Sequence, residues 1–369
     1  LPLQLSKKRE YYGRMYMSHR IPIVNHVTTP VRWMTLLLLI LCASAASGQG
    51  FVNAKYAGEF LGFGVGGRSA ALGGAGTGSA LDVTAGYFNP AALALVMYPQ
   101  GALLHESRFS GQINYDYLGI VWPYDATQTL GLTAIRLGLD GIKDSRNALV
   151  DLNANGRLDE GDRIDSSRIT LGGSSNWAIL GSYARSLSPD LSVGGNVKFL
   201  YKSILEHSAW GIGVDLAASY RPVDGLTVGA TLGDATKSLL IWDTGTQEFI
   251  VPSLRVGGAY RLSLTSDHAM TPVVDGIFRF EGRHETTFGD LDVASLDVAG
   301  GLEYSYRDRV FLRAGVSELR QVTMGAGVRL PKLNIDYAFT QENNDLSGFG
   351  ATHRISVMLT IEDDRYRRS

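Results

Sequence analysis

Residues 191–202 read LSVGGNVKFLYK, with Leu191, Val193, Gly195, Val197, Phe199 and Tyr201 on one side of a period-two pattern. The other side carries Ser192, Gly194, Asn196, Lys198, Leu200 and Lys202. Residues 210–221 repeat this, with Trp210, Ile212, Val214, Leu216, Ala218 and Tyr220 set against Gly211, Gly213, Asp215, Ala217, Ser219 and Arg221. In residues 333–340, Leu333, Ile335, Tyr337 and Phe339 alternate with Asn334, Asp336, Ala338 and Thr340. Alternation this long predicts strands with one apolar and one polar face, because successive side chains point to opposite sides of a pleated backbone.

Fourteen such segments begin near Gly101, Ile113, Gln128, Asn176, Leu191, Ala209, Leu226, Pro252, Thr271, Val293, Arg309, Gln321, Leu333 and Thr352. Several run the length needed to cross a bilayer at a tilt, about ten residues. Their apolar faces often end in aromatics: Tyr117, Trp122, Tyr183, Tyr201, Tyr220, Tyr260, Tyr304 and Tyr306. Such rings form the interfacial girdles of outer-membrane barrels. An open edge in lipid would leave backbone groups unpaired, so the sheet must close. The expected fold is all-β, a 14-stranded antiparallel transmembrane barrel over residues 99–362.

The connections alternate. Those around 188–190, 222–225, 307–308 and 331–332 are short, whereas 139–175, 234–251, 282–292 and 341–351 are long. Short periplasmic turns and long external loops have this phase, which places both termini in the periplasm. Ahead of the strands, Arg32 precedes the apolar run MTLLLLILCA (Met34–Ala43), and small residues follow to Gly48. That order predicts a signal peptide over residues 17–48, after an expected over-extended gene start at 1–16. Cys42 is the one cysteine, and Leu41 before it does not fit a lipoprotein box. Residues 363–369 form a polar tail. The formal net charge of −2 gives no argument for nucleic acid as a partner.

The polar faces carry Lys198, Asp215, Arg255, Arg261, Asp275, Arg279, Glu303, Arg313, Arg329, Asp336 and Arg354. A basic residue facing lipid costs about 2–4 kcal/mol at the midplane, so these are expected to line the lumen. They read either as cross-strand ion pairs packed against a plug or as a selective channel lining. Leu118, Ile120, Ile277 and Phe311 are the apolar exceptions expected on the inward face.

Residues 55–95 are rich in glycine and alanine and lack strand alternation. Gly62-x-Gly64-x-x-Gly67 matches a dinucleotide fingerprint by letter only, since no βαβ unit surrounds it. The stretch contains Ala57-Gly58-Glu59-Phe60-Leu61, Gly64-Val65-Gly66-Gly67-Arg68, Leu72-Gly73-Gly74-Ala75 and Asn89-Pro90-Ala91. In these motifs, and in His353–Val357 near the end, the chain resembles PorV/PorQ-type outer-membrane proteins of the FadL-like barrel superfamily. Leu72 stands where the family usually has methionine, and the tail lacks the usual terminal aromatic. The resemblance implies that residues 49–98 form a hatch inside the lumen. It also implies that Arg68, Asn89, Pro90 and Ala91 belong to the hatch motif. Arg68 and Asn89 would pin it to the wall on Asp215, Asp275 or Glu303.

Residues 151–162 read DLNANGRLDEGD. Asp151, Asn153, Asn155, Arg157 (through its carbonyl), Asp159 and Asp162 stand at the ligand positions of an EF-hand-type loop, with Gly156 at the sharp turn. A structural calcium ion is expected there, ordering an external loop.

For function, the resemblance implies a non-enzymatic outer-membrane protein acting with type IX secretion components and cargo proteins. In that reading the loop Leu239–Ile250 is either a docking surface or a cover for the barrel mouth. The alternative is a FadL-like transporter of hydrophobic small molecules such as long-chain fatty acids, which predicts an apolar lumen. A lipid hydrolase is disfavoured, because His105, His207, His268, His284 and His353 fall on scattered segments without a nucleophile motif.

Overall fold

The computed structural model describes residues 58–108, 111–152, 155–280, 289–290, 294–341 and 351–368. The expected leader, the first part of the hatch and Asn153 and His284 lie outside these residues.

Fourteen antiparallel strands form the wall. They are β1 (Gln100–Arg108), β2 (Ile113–Pro123), β3 (Gln128–Asp144), β4 (Thr170–Ser186), β5 (Leu191–Ile204), β6 (His207–Tyr220) and β7 (Leu226–Gly233). The second half comprises β8 (Ser253–Tyr260), β9 (His268–Arg279), β10 (Ser295–Tyr306), β11 (Val310–Val316), β12 (Val322–Leu330), β13 (Leu333–Thr340) and β14 (Thr352–Thr360). Each pairs with its sequence neighbours, and β14 pairs back onto β1 with Gln100 opposite Thr360 and Glu106 opposite Arg354. The barrel is therefore closed, which removes the edges that lipid would not tolerate.

The predicted starts agree with the observed ones to within a few residues, except in β4. That strand begins at Thr170 rather than near Asn176, and β3 continues to Asp144. The expected 139–175 loop therefore shrinks to 145–169. The extension was illegible because residues 139–144 and 170–175 are polar or glycine-rich, and a bulge at Asp140/Ile142 breaks their alternation.

The outward face is apolar and ends in aromatics. Trp177, Tyr201 and Trp210 are cross-strand neighbours on β4, β5 and β6. At the opposite, short-turn end, Trp122, Tyr183, Tyr220, Tyr260 and Tyr306 are exposed on the outward face. Tyr117 does not belong to the outer girdle. It is buried and faces inward, and its hydroxyl donates to the Val83 carbonyl at 3.3 Å. Leu118 and Ile120 are likewise outward, not inward. The phase of β2 was misread because both of its faces are apolar, so alternation does not mark the inside.

Two short excursions decorate the wall. The hairpin of 238–242 and 247–250 lies between β7 and β8, and its first strand pairs with the loop end of β6 (Leu239 with Ile212, Trp242 with Ala209). Leu240 is fully buried, and Leu239, Ile241 and Trp242 are partly buried. Leu240, with Trp242 and Ile250 beside it, packs into the core, so part of the hairpin's apolar surface is taken up by the barrel. At the short-turn end, the tail runs back beneath the lumen. The Arg368 amide donates to the Met97 carbonyl at 2.9 Å, and its guanidinium reaches the Ala94 and Ala126 carbonyls.

Candidate functional site: the lumen and its plug

Residues 58–98 pack inside the barrel. They form a 3₁₀ turn at Glu59–Phe63, then α1 (Gly67–Ala71), α2 (Ala85–Phe88) and a second 3₁₀ turn at Pro90–Leu95. Elements this short have little stability in water, since helix nucleation is costly. Contacts with the wall hold them.

Asn89 shows how. Its backbone is extended, and its side-chain oxygen caps the following turn by accepting from the Ala91 amide at 3.1 Å, with Pro90 at the first helical position. Its Nδ2 donates to the Thr77 carbonyl and to the Ala218 carbonyl of β6, both at 3.1 Å. The side chain is fully buried with donors and acceptor engaged. Ala91 packs against Gly194 of β5, where a Cβ would lie 2.7 Å from the Ala91 nitrogen.

Three further pins join plug to wall. Arg68 grips Glu303 of β10 through Nε (2.9 Å to Oε2) and Nη2 (3.1 Å to Oε1), while its Nη1 donates to the Ser79 carbonyl at 2.7 Å. Asp275 of β9 accepts the Gly76 and Thr77 amides at 2.9 and 2.8 Å on one oxygen. Arg354 of β14 donates to the Phe63 and Gly64 carbonyls at 3.0 and 3.3 Å and pairs with Glu106 of β1.

Ion pairs link charged residues on the inward face. Glu303 and Arg313 are opposite one another on β10 and β11, with Nε to Oε2 at 2.7 Å. Arg313 continues to Asp336 at 2.7 Å. Lys198 sits between Asp215 (2.8 Å) and Asp234 (2.6 Å), and Arg279 between Asp297 and Glu318. Mutual pairing is what allows these charges to be buried. Arg261 and Arg329 differ from the rest in being exposed at the short-turn end. Arg261 pairs with Asp308 at 2.7 Å, and the Arg329 guanidinium lies 5.0 Å from the Phe311 ring centroid.

The lumen is two-sided, which the sequence did not reveal. Beside the charged positions stands an apolar arc on β1–β5, interrupted by Glu106 on β1 and Lys198 on β5. There Leu104, Tyr115, Tyr117, Val121, Ile135, Leu180 and Leu200 pack against Val65, Val83, Phe88 and Leu93 of the plug. Ile277 and Phe311 are buried on the inward face as expected.

Two cavities flank the plug. One of about 160 Å³ lies at the long-loop end, between Gly58–Gly62, the base of the 238–250 hairpin and the inner wall. The other, about 460 Å³, opens at the short-turn end beneath Leu81, Met97 and Arg329.

Among the described residues the histidines lie on separate strands. His207 pairs with Asp243, His268 with Tyr304 and His353 with Tyr337. His105 is 2.7 Å from Asp116, which also meets Arg136 at 3.3 Å. These three form a polar group on the outward face, in register across β1, β2 and β3, which no spacing in the sequence marks. It lies six residues from Trp122 along β2, about 20 Å at the strand rise, which marks the far limit of the apolar belt there.

In the 151–162 loop the acidic oxygens hold backbone amides. Asp151 accepts from Gly156 at 2.6 Å, while Asp162 accepts from Leu152 and Asp159 at 2.9 and 3.2 Å. Arg157 donates its amide to the Asn155 side chain at 2.8 Å. Among the described residues, no three His, Cys, Asp or Glu side chains form a metal-holding group.

No family model and no curated protein matches the chain. Solved structures similar to it include the Ralstonia pickettii toluene transporter TbuX, 14% identical with a TM-score of 0.48, covering 81% of this chain and 99% of that one. The Pseudomonas putida toluene transporter TodX is 16% identical with a TM-score of 0.49, over 80% of this chain and 97% of its own. A Pseudomonas aeruginosa FadL homologue is 13% identical with a TM-score of 0.47, over 81% and 98%.

Proposed function

We propose that this chain is a non-enzymatic outer-membrane barrel that takes up hydrophobic small molecules, with the long loops outside and the short turns in the periplasm. The observation that carries the reading is the apolar arc of the lumen beside a plug with a cavity at each end. A purely charged lining would argue for an ion-selective pore. An apolar inner wall instead lowers the cost of carrying an apolar solute past the membrane. Arg68, Asn89, Asp275 and Arg354 fix the plug alongside its apolar packing on β1–β5, and local movement within residues 58–98 would open a path without rebuilding the barrel.

A role in type IX secretion is the competing reading, implied by the resemblance of the N-terminal motifs. Packing of Leu240, Trp242 and Ile250 against the core leaves less of the hairpin's apolar surface for cargo docking. Cells with and without the gene separate the two readings. Slower uptake of a labelled apolar solute in the deletion strain, with exported proteins normally distributed, supports transport. Unchanged uptake with exported proteins stranded in the periplasm overturns it.

A further inference from the structure

Residues 361–368 follow the last strand and run beneath the point where the plug joins the wall. Their backbone takes two carbonyls of that connection: the Ile361 amide donates to Pro99 and the Arg368 amide to Met97, both at 2.9 Å. The Arg368 guanidinium adds three contacts. Its Nη1 donates to the Ala94 carbonyl in the last 3₁₀ turn of the plug and to Thr129 Oγ1 of β3 at 3.4 Å. Its Nε donates to the Ala126 carbonyl in the β2–β3 turn at 2.8 Å. Tyr366 rests edge-on against Trp122 of β2, with ring centroids 5.4 Å apart. One segment thus ties the plug exit, residues 94–99, to the rim of β1–β3.

The hold is shallow. Ile361, Glu362, Arg365, Tyr366 and Arg367 are exposed, so little apolar surface anchors the tail. Arg365 pairs with Asp363 of the tail itself and adds nothing to the tie. Arg368 Nη2 is buried and finds no hydrogen-bond partner among the described residues, which offsets part of what the other donors contribute. A segment with few buried contacts opens at a free energy well below that of global unfolding. The cavity at this end is bordered by Met97 on the plug exit and Glu362 on the tail, so the segment that can lift lies beside the opening. We infer that residues 361–368 are a releasable latch. Docked, they hold the plug exit against the rim; lifted, they free residues 94–98 to move and open the short-turn end. This rests on the uptake reading and assigns its moving part. The pins at Arg68, Gly76, Thr77 and Asn89 lie upstream of that stretch and stay made while it moves.

The test is amide hydrogen exchange over residues 92–99 in the folded full chain, joined to conductance in planar bilayers. Arg368→Gln should speed exchange there by about tenfold, the scale of one lost charge-assisted hydrogen bond. Tyr366→Ala, which loosens the tail through a different contact, should act in the same direction. Arg365→Gln, confined to the tail, should change nothing. Unaltered heat-modifiable migration of all three variants shows that the barrel is intact. The first two should also add brief openings absent from the parent chain, and cells carrying them should take up a labelled apolar solute faster. Exchange indifferent to both Arg368→Gln and Tyr366→Ala overturns the latch. Faster exchange without added openings also overturns it, leaving the tail as a structural brace. Added openings, in a protein whose deletion leaves apolar solute entry unaffected, support the latch and overturn the uptake reading instead.

Discussion

Arg68 of the plug and Glu303 of the wall form a two-pronged contact, at 2.9 and 3.1 Å, across 235 residues of sequence. Glu303 also receives Arg313, so one carboxylate serves two guanidinium groups. Breaking a buried pair by removing one partner costs about 3–5 kcal/mol, because the other charge is left uncompensated. Glu303→Gln should therefore destabilise the plug–wall contact more than Arg68→Ala, which leaves the Glu303–Arg313 pair in place. Protease sensitivity within residues 58–98 in folded barrels measures the order. Equal or reversed effects would contradict the arrangement.

Adjacent glycines give a sharper comparison. Gly73 and Gly74 both have positive φ, 75° and 89°. A Cβ on Gly73 would sit 2.2 Å from the Val316 carbonyl oxygen, whereas one on Gly74 meets nothing within 4 Å. Gly74→Ala should cost only the left-handed backbone penalty, about 1–2 kcal/mol. Gly73→Ala should cost clearly more and shift the plug away from β11. Thermal unfolding of the two variants checks this, and equal destabilisation would mean that the close approach is not real.

The 238–250 hairpin is tied to β6 by Asp243. Its carboxylate accepts the Ser208 amide at 2.8 Å and contacts His207 Nδ1 at 3.2 Å. The Ser208 amide, with His207 beside it, holds this carboxyl below the usual range. A lowered folded-state pKa gives stabilisation that is present above the unfolded value of about 3.9 and is lost as pH falls through the folded value. Proteolysis between residues 238 and 250 by an acid-active protease should rise in that window. Asp243→Asn should abolish the pH dependence. A profile unchanged by the substitution would exclude Asp243 as the clamp.

Calcium at residues 151–162 makes a separate prediction. If the ion orders the loop, chelation should increase cleavage between residues 145 and 169, and added calcium should reverse it. Asp151→Asn with Asp162→Asn should be cleaved readily with or without chelator. Cleavage indifferent to calcium in the native chain would leave Asp151, Asp159 and Asp162 as acceptors for loop amides alone.

Strand number and most boundaries were legible because lipid on one side and a packed lumen on the other enforce alternation, as in β5 and β6. The charged half of the lumen was legible for the same reason: Lys198, Asp215 and Glu303 are polar residues among apolar neighbours, and they can face only inward. The apolar half was not. On β2 both faces are apolar, so Tyr117 and Leu118 could not be assigned a side until their neighbours on β1 and β3 were seen. Arg68 and Asn89 were recognisable from their motifs, but their partners required the register. Nothing in the spacing of Arg255 distinguishes it from Arg279. Only the placement of Glu318 and Asp297 shows that one is paired and the other is not.

Residues 58–98 fill the lumen, and conductance of the purified barrel in planar bilayers tests most directly whether they close it. The intact chain should show no steady porin-like current, and removal of residues 58–95 should produce one. A large steady current from the intact chain would contradict a plugged barrel, and with it the reading of gated uptake.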